Sequence, residues 1–62
     1  MSDASIRAHQ LIERHRKDHG LKDDDETVLC HLVAELIEWC DANRVDFDLQ
    51  VDAAREMLLD AS

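Results

Sequence analysis

The fold is decided by the apolar segment at the middle of the chain. Residues 28–40 read Val28-Leu29-Cys30-His31-Leu32-Val33-Ala34-Glu35-Leu36-Ile37-Glu38-Trp39-Cys40. On a helical wheel at about 100° per residue, the apolar side chains of this segment cover an arc of about 200°. A helix that buries so wide an arc needs neighbours on more than one side. We therefore expect a central helix that both other helices or a second subunit cover, with Trp39 as a core anchor.

Two further helices flank the central one. The first is predicted over residues 3–19, and Gly20 follows it at the position where helices favour left-handed backbone. The acidic run 23–26 is predicted to cap and begin the central helix, 24–43, where negative charge suits the helix dipole. The third helix is predicted over 46–61, with Asp46 or Asp48 as its cap. The chain is thus predicted to be one all-α domain, 1–62, a small three-helix bundle with a long central helix.

Length and composition narrow the classes of protein to consider. The 62 residues carry a net charge of −8 and are 45% hydrophobic but only 3% aromatic. A chain this short buries only about 60% of its unfolded surface, so we expect homodimerisation to complete the core. The negative charge disfavours nucleic acid and anionic membranes as direct partners. No signal peptide and no membrane-spanning segment is indicated, and we expect a cytoplasmic chain.

The two cysteines are not expected to form a disulfide with each other. Cys30 and Cys40 lie ten positions apart on the predicted central helix, a separation of about 15 Å. Disulfides need α-carbons within about 7 Å. Reduced thiols fit the cytoplasmic expectation.

Charge is distributed unevenly along the chain. Residues 1–22 hold five basic and three acidic side chains, a net +2, whereas residues 23–62 hold two basic and twelve acidic ones, a net −10. Four carboxylates recur every fourth residue in the third helix, and we call this set the acidic ladder: Asp48, Asp52, Glu56 and Asp60. A second acidic row on the central helix contains Glu35, Glu38 and Asp41.

The two acidic rows are the candidate partner-binding residues. Like charges at i and i+4 cost a few tenths of a kcal/mol per pair. Such an arrangement indicates a surface that binds a basic protein partner, for example a nucleic-acid-binding protein. The alternative is a solvated face that the first helix and Arg55 partly neutralise.

Histidine spacing raises the question of a metal. His15 and His19 are one turn apart, which is the spacing that two imidazoles use on one metal ion. The other imidazole and thiol groups belong to His9, Cys30, His31 and Cys40. Cys30 and His31 diverge by about 100°, and the two cysteines are about three turns apart. No closed set of four ligands is therefore expected, and neither a metal nor a cofactor is predicted. A zinc site remains a lesser alternative, as does a pH-sensitive assembly.

A catalytic role finds little support. The segment Glu35-Leu36-Ile37-Glu38 is similar to the first Glu-x-x-Glu motif of the all-helical nucleotide pyrophosphohydrolases, which hold magnesium with two such motifs. The second motif, Glu-x-x-Asp, should follow on the next helix and is missing there, because Leu59 stands three positions after Glu56. We predict that the protein is not an enzyme.

Residues 36–54 also resemble the signature of small bacterial and phage-borne helical proteins of uncharacterised function. The shared positions are Trp39-Cys40-Asp41 and Val45-Asp46-Phe47-Asp48. This resemblance implies a helix, a tight turn over 43–46 and a second helix entered through Phe47, and it implies no site residue.

The predicted function is a non-enzymatic, acidic protein–protein interaction module. Phage-type inhibitors and nucleic-acid mimics that act on host machinery such as CRISPR effectors are examples of this class. The alternatives are a structural or regulatory homodimer that acts through its apolar helix face, and a His/Cys metal-binding protein.

Overall fold

The computed structural model describes residues 2–61, which form three α-helices and no strand. They are α1 (Asp3–Asp18), α2 (Asp25–Ala42) and α3 (Phe47–Asp60). These bounds differ from the predicted ones by at most one residue at either end. The prediction of an all-α three-helix bundle is confirmed.

Each helix begins at a side chain that accepts a hydrogen bond from a backbone N–H three residues on. The three pairs are Ser2 with Ser5 (3.1 Å), Asp24 with Thr27 (2.9 Å) and Asp46 with Leu49 (3.0 Å). Hydrogen bonds from the Thr27 side chain and from its backbone N–H hold the pKa of Asp24 below the usual aspartate range. The acidic run therefore caps α2 and supplies its first turn, as the sequence predicts.

Two of the helices end in the same backbone motif, a left-handed residue after the C-cap. Gly20 has φ 61° after α1, and the Leu21 N–H donates to the Arg16 carbonyl at 2.9 Å. Arg44 has φ 58° after α2, and the N–H of the next residue reaches back to the Cys40 carbonyl at 2.8 Å. These are Schellman motifs, in which glycine fits without strain and arginine does not.

The central helix contacts both others. α1 and α3 each pack on α2, and across residues 2–61 they do not contact each other. The molecule measures 35 × 33 × 14 Å along its principal axes. The molecule is therefore flat, with one dimension less than half of either other.

The buried core of the molecule is very small. Among the described residues, Val28 at 0% and Cys40 at 7% exposure are the only buried apolar side chains, and His15 at 8% is the only buried polar one. Trp39 is 59% exposed, so it does not anchor a core within one chain. The cysteines form no disulfide, as predicted. None of the helices in the described part has the length and apolar character that crossing a membrane requires.

Candidate metal centre

Four potential metal ligands meet where α1 packs against α2. His15 and His19 lie one turn apart on α1, and His31 and Glu35 lie one turn apart on α2. Residues at i and i+4 share one face of a helix. Each residue contributes one ligand atom, and the four atoms all lie within 4.8 Å of one another. We call these residues the His/Glu cluster.

Four of the six separations between the ligand atoms of the His/Glu cluster are close to the edge of a tetrahedral zinc site, and all the ligand atoms lie within 4.8 Å of one another. The Oε2 atom of Glu35 lies 3.1 Å from His15 Nε2, 3.2 Å from His19 Nε2 and 3.5 Å from His31 Nδ1. His15 Nε2 and His31 Nδ1 are 2.8 Å apart. Zinc bound at 2.0–2.1 Å to four nitrogen or oxygen ligands spaces them about 3.3–3.4 Å apart. Shifts of only a few tenths of an ångström per ligand atom therefore bring these four separations to the spacing of a zinc site.

The electrostatics of the His/Glu cluster favour a cation at its centre. Three ring nitrogens converge on one carboxylate oxygen, and a neutral imidazole nitrogen without a proton is electron-rich. Each ring nitrogen can either carry a proton that it donates to Glu35 or, without that proton, offer a lone pair to a metal ion. One metal ion can bind all four. His15 is buried, which lowers the local dielectric and strengthens the need for such compensation.

Contacts next to the cluster hold α1 against the start of α2. The Arg16 guanidinium donates to the Asp23 carbonyl and to the Asp25 carboxylate. It also lies 3.3 Å from Glu13. Together with the tight turn at Gly20, these contacts direct the chain back along α1, so that the first turns of α2 lie beside the last turns of α1.

The donor set suits Zn²⁺, because imidazole nitrogens and a carboxylate oxygen are zinc ligands. Catalytic zinc keeps one position open for water or substrate. Four protein ligands fill a tetrahedral site, so this arrangement suits a structural or regulatory metal.

The structure separates the residues that the sequence singles out for partner binding. The acidic ladder lies along α3, and Glu38 and Asp41 lie on α2; all six are exposed. Glu35 belongs to the second predicted row, but its carboxylate lies among the three imidazoles. Within residues 2–61, neither the ladder nor Arg55 takes part in an ion pair.

Sequence reasoning finds half of the His/Glu cluster. It pairs His15 with His19 but excludes a closed set, and the structure corrects that expectation by adding His31 and Glu35. The excluded sets all rely on cysteines, whereas the sequence pattern assigns Glu35 to the acidic surface. The available signal is a second i, i+4 pair: His-x-x-x-His on one helix is followed by His-x-x-x-Glu on the next.

No protein-family model, curated protein or solved structure matches this chain. The resemblance of residues 36–54 to small bacterial and phage-borne proteins therefore stays a prediction.

Proposed function

We propose that the chain is a small zinc-binding protein in which one Zn²⁺ joins α1 to α2. The convergence of three imidazole nitrogens on the Glu35 carboxylate, from two helices, is the observation that supports this function most directly. The metal takes the place of the core that the chain lacks at this junction.

Zinc gives such a protein a switchable fold. Because the ligands come together only when α1 docks on α2, the free energy of metal binding becomes folding free energy. At low free zinc, the helices are held by two buried apolar residues and a few polar contacts. At high free zinc, the α1–α2 pair becomes rigid. The protein thus responds to zinc by ordering its surface, without catalysing a reaction.

Native mass spectrometry tests the site directly. The wild-type chain should bind one Zn²⁺ per chain, and His19→Gln and His31→Gln should each weaken binding by tenfold or more in competition titrations with a chromophoric chelator. His9→Gln is the matched control, because His9 is an exposed histidine on α1 outside the His/Glu cluster. Equal zinc affinity for wild type and His31→Gln would refute the site.

A second candidate function follows from the acidic ladder. Its four carboxylates are exposed, and none has a basic side chain within 4.0 Å in the part of the chain that the structure describes. We propose that this unneutralised row engages a basic protein surface, with steering that salt screens beyond about 10 Å at 0.1 M. The acidic, non-enzymatic interaction module predicted from the sequence is the same proposal.

Capture from the source cell at graded ionic strength tests the ladder. A basic partner retained by wild type should be lost when all four ladder acids are changed to Asn or Gln, and also at high salt. Asp18→Asn removes an exposed carboxylate of α1 and is the control. A partner retained equally by the ladder variant would rule out this second function.

A further inference from the structure

One chain leaves most of its large apolar side chains in water. Ten of them are between 39% and 73% exposed: Ile6, Leu11, Leu29, Leu36, Ile37, Trp39, Leu49, Met57, Leu58 and Leu59. Single exposed apolar residues are ordinary, but two buried apolar residues make only a very small core for the described part of the chain.

The solvent-accessible surface of the chain is larger than that expected for a compact monomer of the same mass. The chain exposes 5471 Å², whereas a compact monomer of 7.1 kDa is expected to expose about 4,100 Å². The surplus is about 1,400 Å². A standard protein–protein interface takes about 800 Å² from each partner, and obligate dimers take more. The radius of gyration is 13.2 Å, against about 11 Å for a compact chain of this length.

The uncovered apolar surface includes a continuous row along α2. Leu29, Leu32, Leu36 and Trp39 follow one another at spacings of three, four and three residues. This is the spacing of a helix–helix seam. Leu29 and Leu36 are nearly half exposed, and Trp39 is more exposed still. We call these four uncharged residues the apolar stripe of α2.

A second row on α3 continues beyond its contact with α2. Phe47 and Val51 are half-buried, and Leu58 lies farther along the same helical face. Leu58 is nevertheless 71% exposed, and the neighbouring Met57 is 70% exposed. The face of α3 that packs against α2 in the first half of the helix thus remains apolar in the second half, where it is exposed.

We propose that a second copy of this chain covers the apolar stripe of α2 and the second half of α3, giving a two-fold symmetric dimer. In such a dimer each stripe packs on its equivalent, so one uncharged surface is complementary to itself. Two flat chains stacked face to face would bury these apolar surfaces against each other. The surplus area per chain is sufficient for the interface. The dimer does not depend on the zinc site, since none of the stripe residues is a ligand.

Charge gives the dimer a salt dependence opposite to that of an ionic complex. Each copy carries −8, so the two copies repel at low salt. Screening reduces this repulsion while the apolar contact is unaffected or strengthened. The dimer should therefore tighten as salt is raised, whereas binding of a basic partner by the acidic ladder should weaken.

Sedimentation equilibrium and tryptophan fluorescence test the dimer. In either EDTA or zinc, the wild-type chain should have twice the mass of 7.1 kDa. Leu36→Ser should weaken dimerisation by tenfold or more, and Leu49→Ser should leave it unchanged, because Leu49 is an exposed leucine outside both rows. Trp39 is the only tryptophan, so on dilution the emission of the unmutated protein should shift to the red as the dimer dissociates.

The result that would overturn the dimer is a monomer, or a larger oligomer, across the accessible concentrations. Equal dimerisation of wild type and Leu36→Ser would also overturn it. If Leu36→Ser fails to fold, the concentration dependence of Trp39 emission in the wild type still decides the matter: emission that does not change with concentration while the measured mass falls places Trp39 outside the interface. Loss of zinc binding in His31→Gln with the dimer intact would separate the two proposals.

Discussion

The Nε2 atom of His15 lies 2.8 Å from the Nδ1 atom of His31, although sixteen positions separate the two residues. The contact joins the last turns of α1 to the first turns of α2. Glu35 lies within 3.5 Å of both nitrogens. A metal ion bound at this junction closes a short loop in the chain, and its binding energy counts toward the stability of the helix pair.

Zinc should therefore raise the melting temperature of the protein. A ligand present at 1,000 times its Kd stabilises the folded state by about 4 kcal/mol. For a domain of about 60 residues, each kcal/mol shifts the midpoint by about 4–8 °C, so a rise on the order of 15–30 °C is expected. Thermal melts followed by circular dichroism at fixed protein concentration, with zinc and with EDTA, measure it.

The matched pair for this measurement is Glu35→Gln and Glu38→Gln. Both replace an exposed glutamate of α2, but only Glu35 belongs to the His/Glu cluster. Glu35→Gln should lose most of the zinc-dependent shift, and Glu38→Gln should keep it. If zinc shifts the two variants equally, Glu35 is not a ligand.

Local signals predict the helices, whereas the site depends on how they meet. Asp24 is a typical N-cap residue and Gly20 is typical of a helix C-terminus. Because these signals act within a few residues, the helix bounds can be predicted from the sequence. The side of α2 that faces α1 is not a local property. For this reason the sequence pattern assigns Glu35 to an acidic surface, although its spacing from His31 marks a second ligand pair. The exposure of Trp39 cannot be predicted from the sequence for the same reason. A wide apolar arc does not show whether the residues that pack against it belong to the same chain.

The two left-handed residues at the helix ends should respond to mutation in opposite directions. A Cβ added at Gly20 would meet no atom within 4 Å, so Gly20→Ala isolates the cost of left-handed backbone. This change should destabilise the fold by about 1 kcal/mol. Arg44→Gly should stabilise it by about 0.5–1 kcal/mol, because it removes the same strain at φ 58°.

Urea unfolding of both variants measures these changes, with the slope of the transition as a check that the unfolded state is unaltered. Lys22→Ala serves as a control at an exposed position just after the first motif. Stabilisation by Gly20→Ala, or destabilisation by Arg44→Gly, would show that the two residues do not hold the left-handed conformation in solution.

Arg16 should position α1 for both stability and zinc binding. Its guanidinium contacts the Asp23 carbonyl and the carboxylates of Asp25 and Glu13. The carboxylates are largely solvent-exposed, so their ion pairs are screened, and Arg16→Gln should cost only about 1 kcal/mol. Zinc affinity should fall as well, because the docking of α1 brings the ligands together. Arg14→Gln is the control, since the one ion pair that Arg14 makes within residues 2–61 is a 3.8 Å contact with Asp18 on its own helix. If Arg16→Gln and Arg14→Gln behave alike, the contacts to Asp23 and Asp25 do not help to dock α1.

Asp24 should make the stability of α2 depend on pH in the acid range. Its pKa is lowered in the folded chain by hydrogen bonds from the Thr27 side chain and backbone N–H, with a further contribution from the positive charge of Arg16. A carboxyl group whose pKa is lower when folded stabilises the folded state above its unfolded pKa, about 3.9 for aspartate. That stabilisation is lost as the pH falls through the lower folded value.

Asp24→Asn keeps an oxygen acceptor at the cap but cannot ionise. The difference in stability between wild type and Asp24→Asn should therefore favour wild type at pH 7 and shrink steadily below about pH 4. Urea unfolding of both proteins from pH 7 to pH 2 measures the difference, and comparing the pair cancels the titration of the other fourteen acidic residues. A difference that stays constant over this range would mean that the Asp24 charge does not stabilise the start of α2.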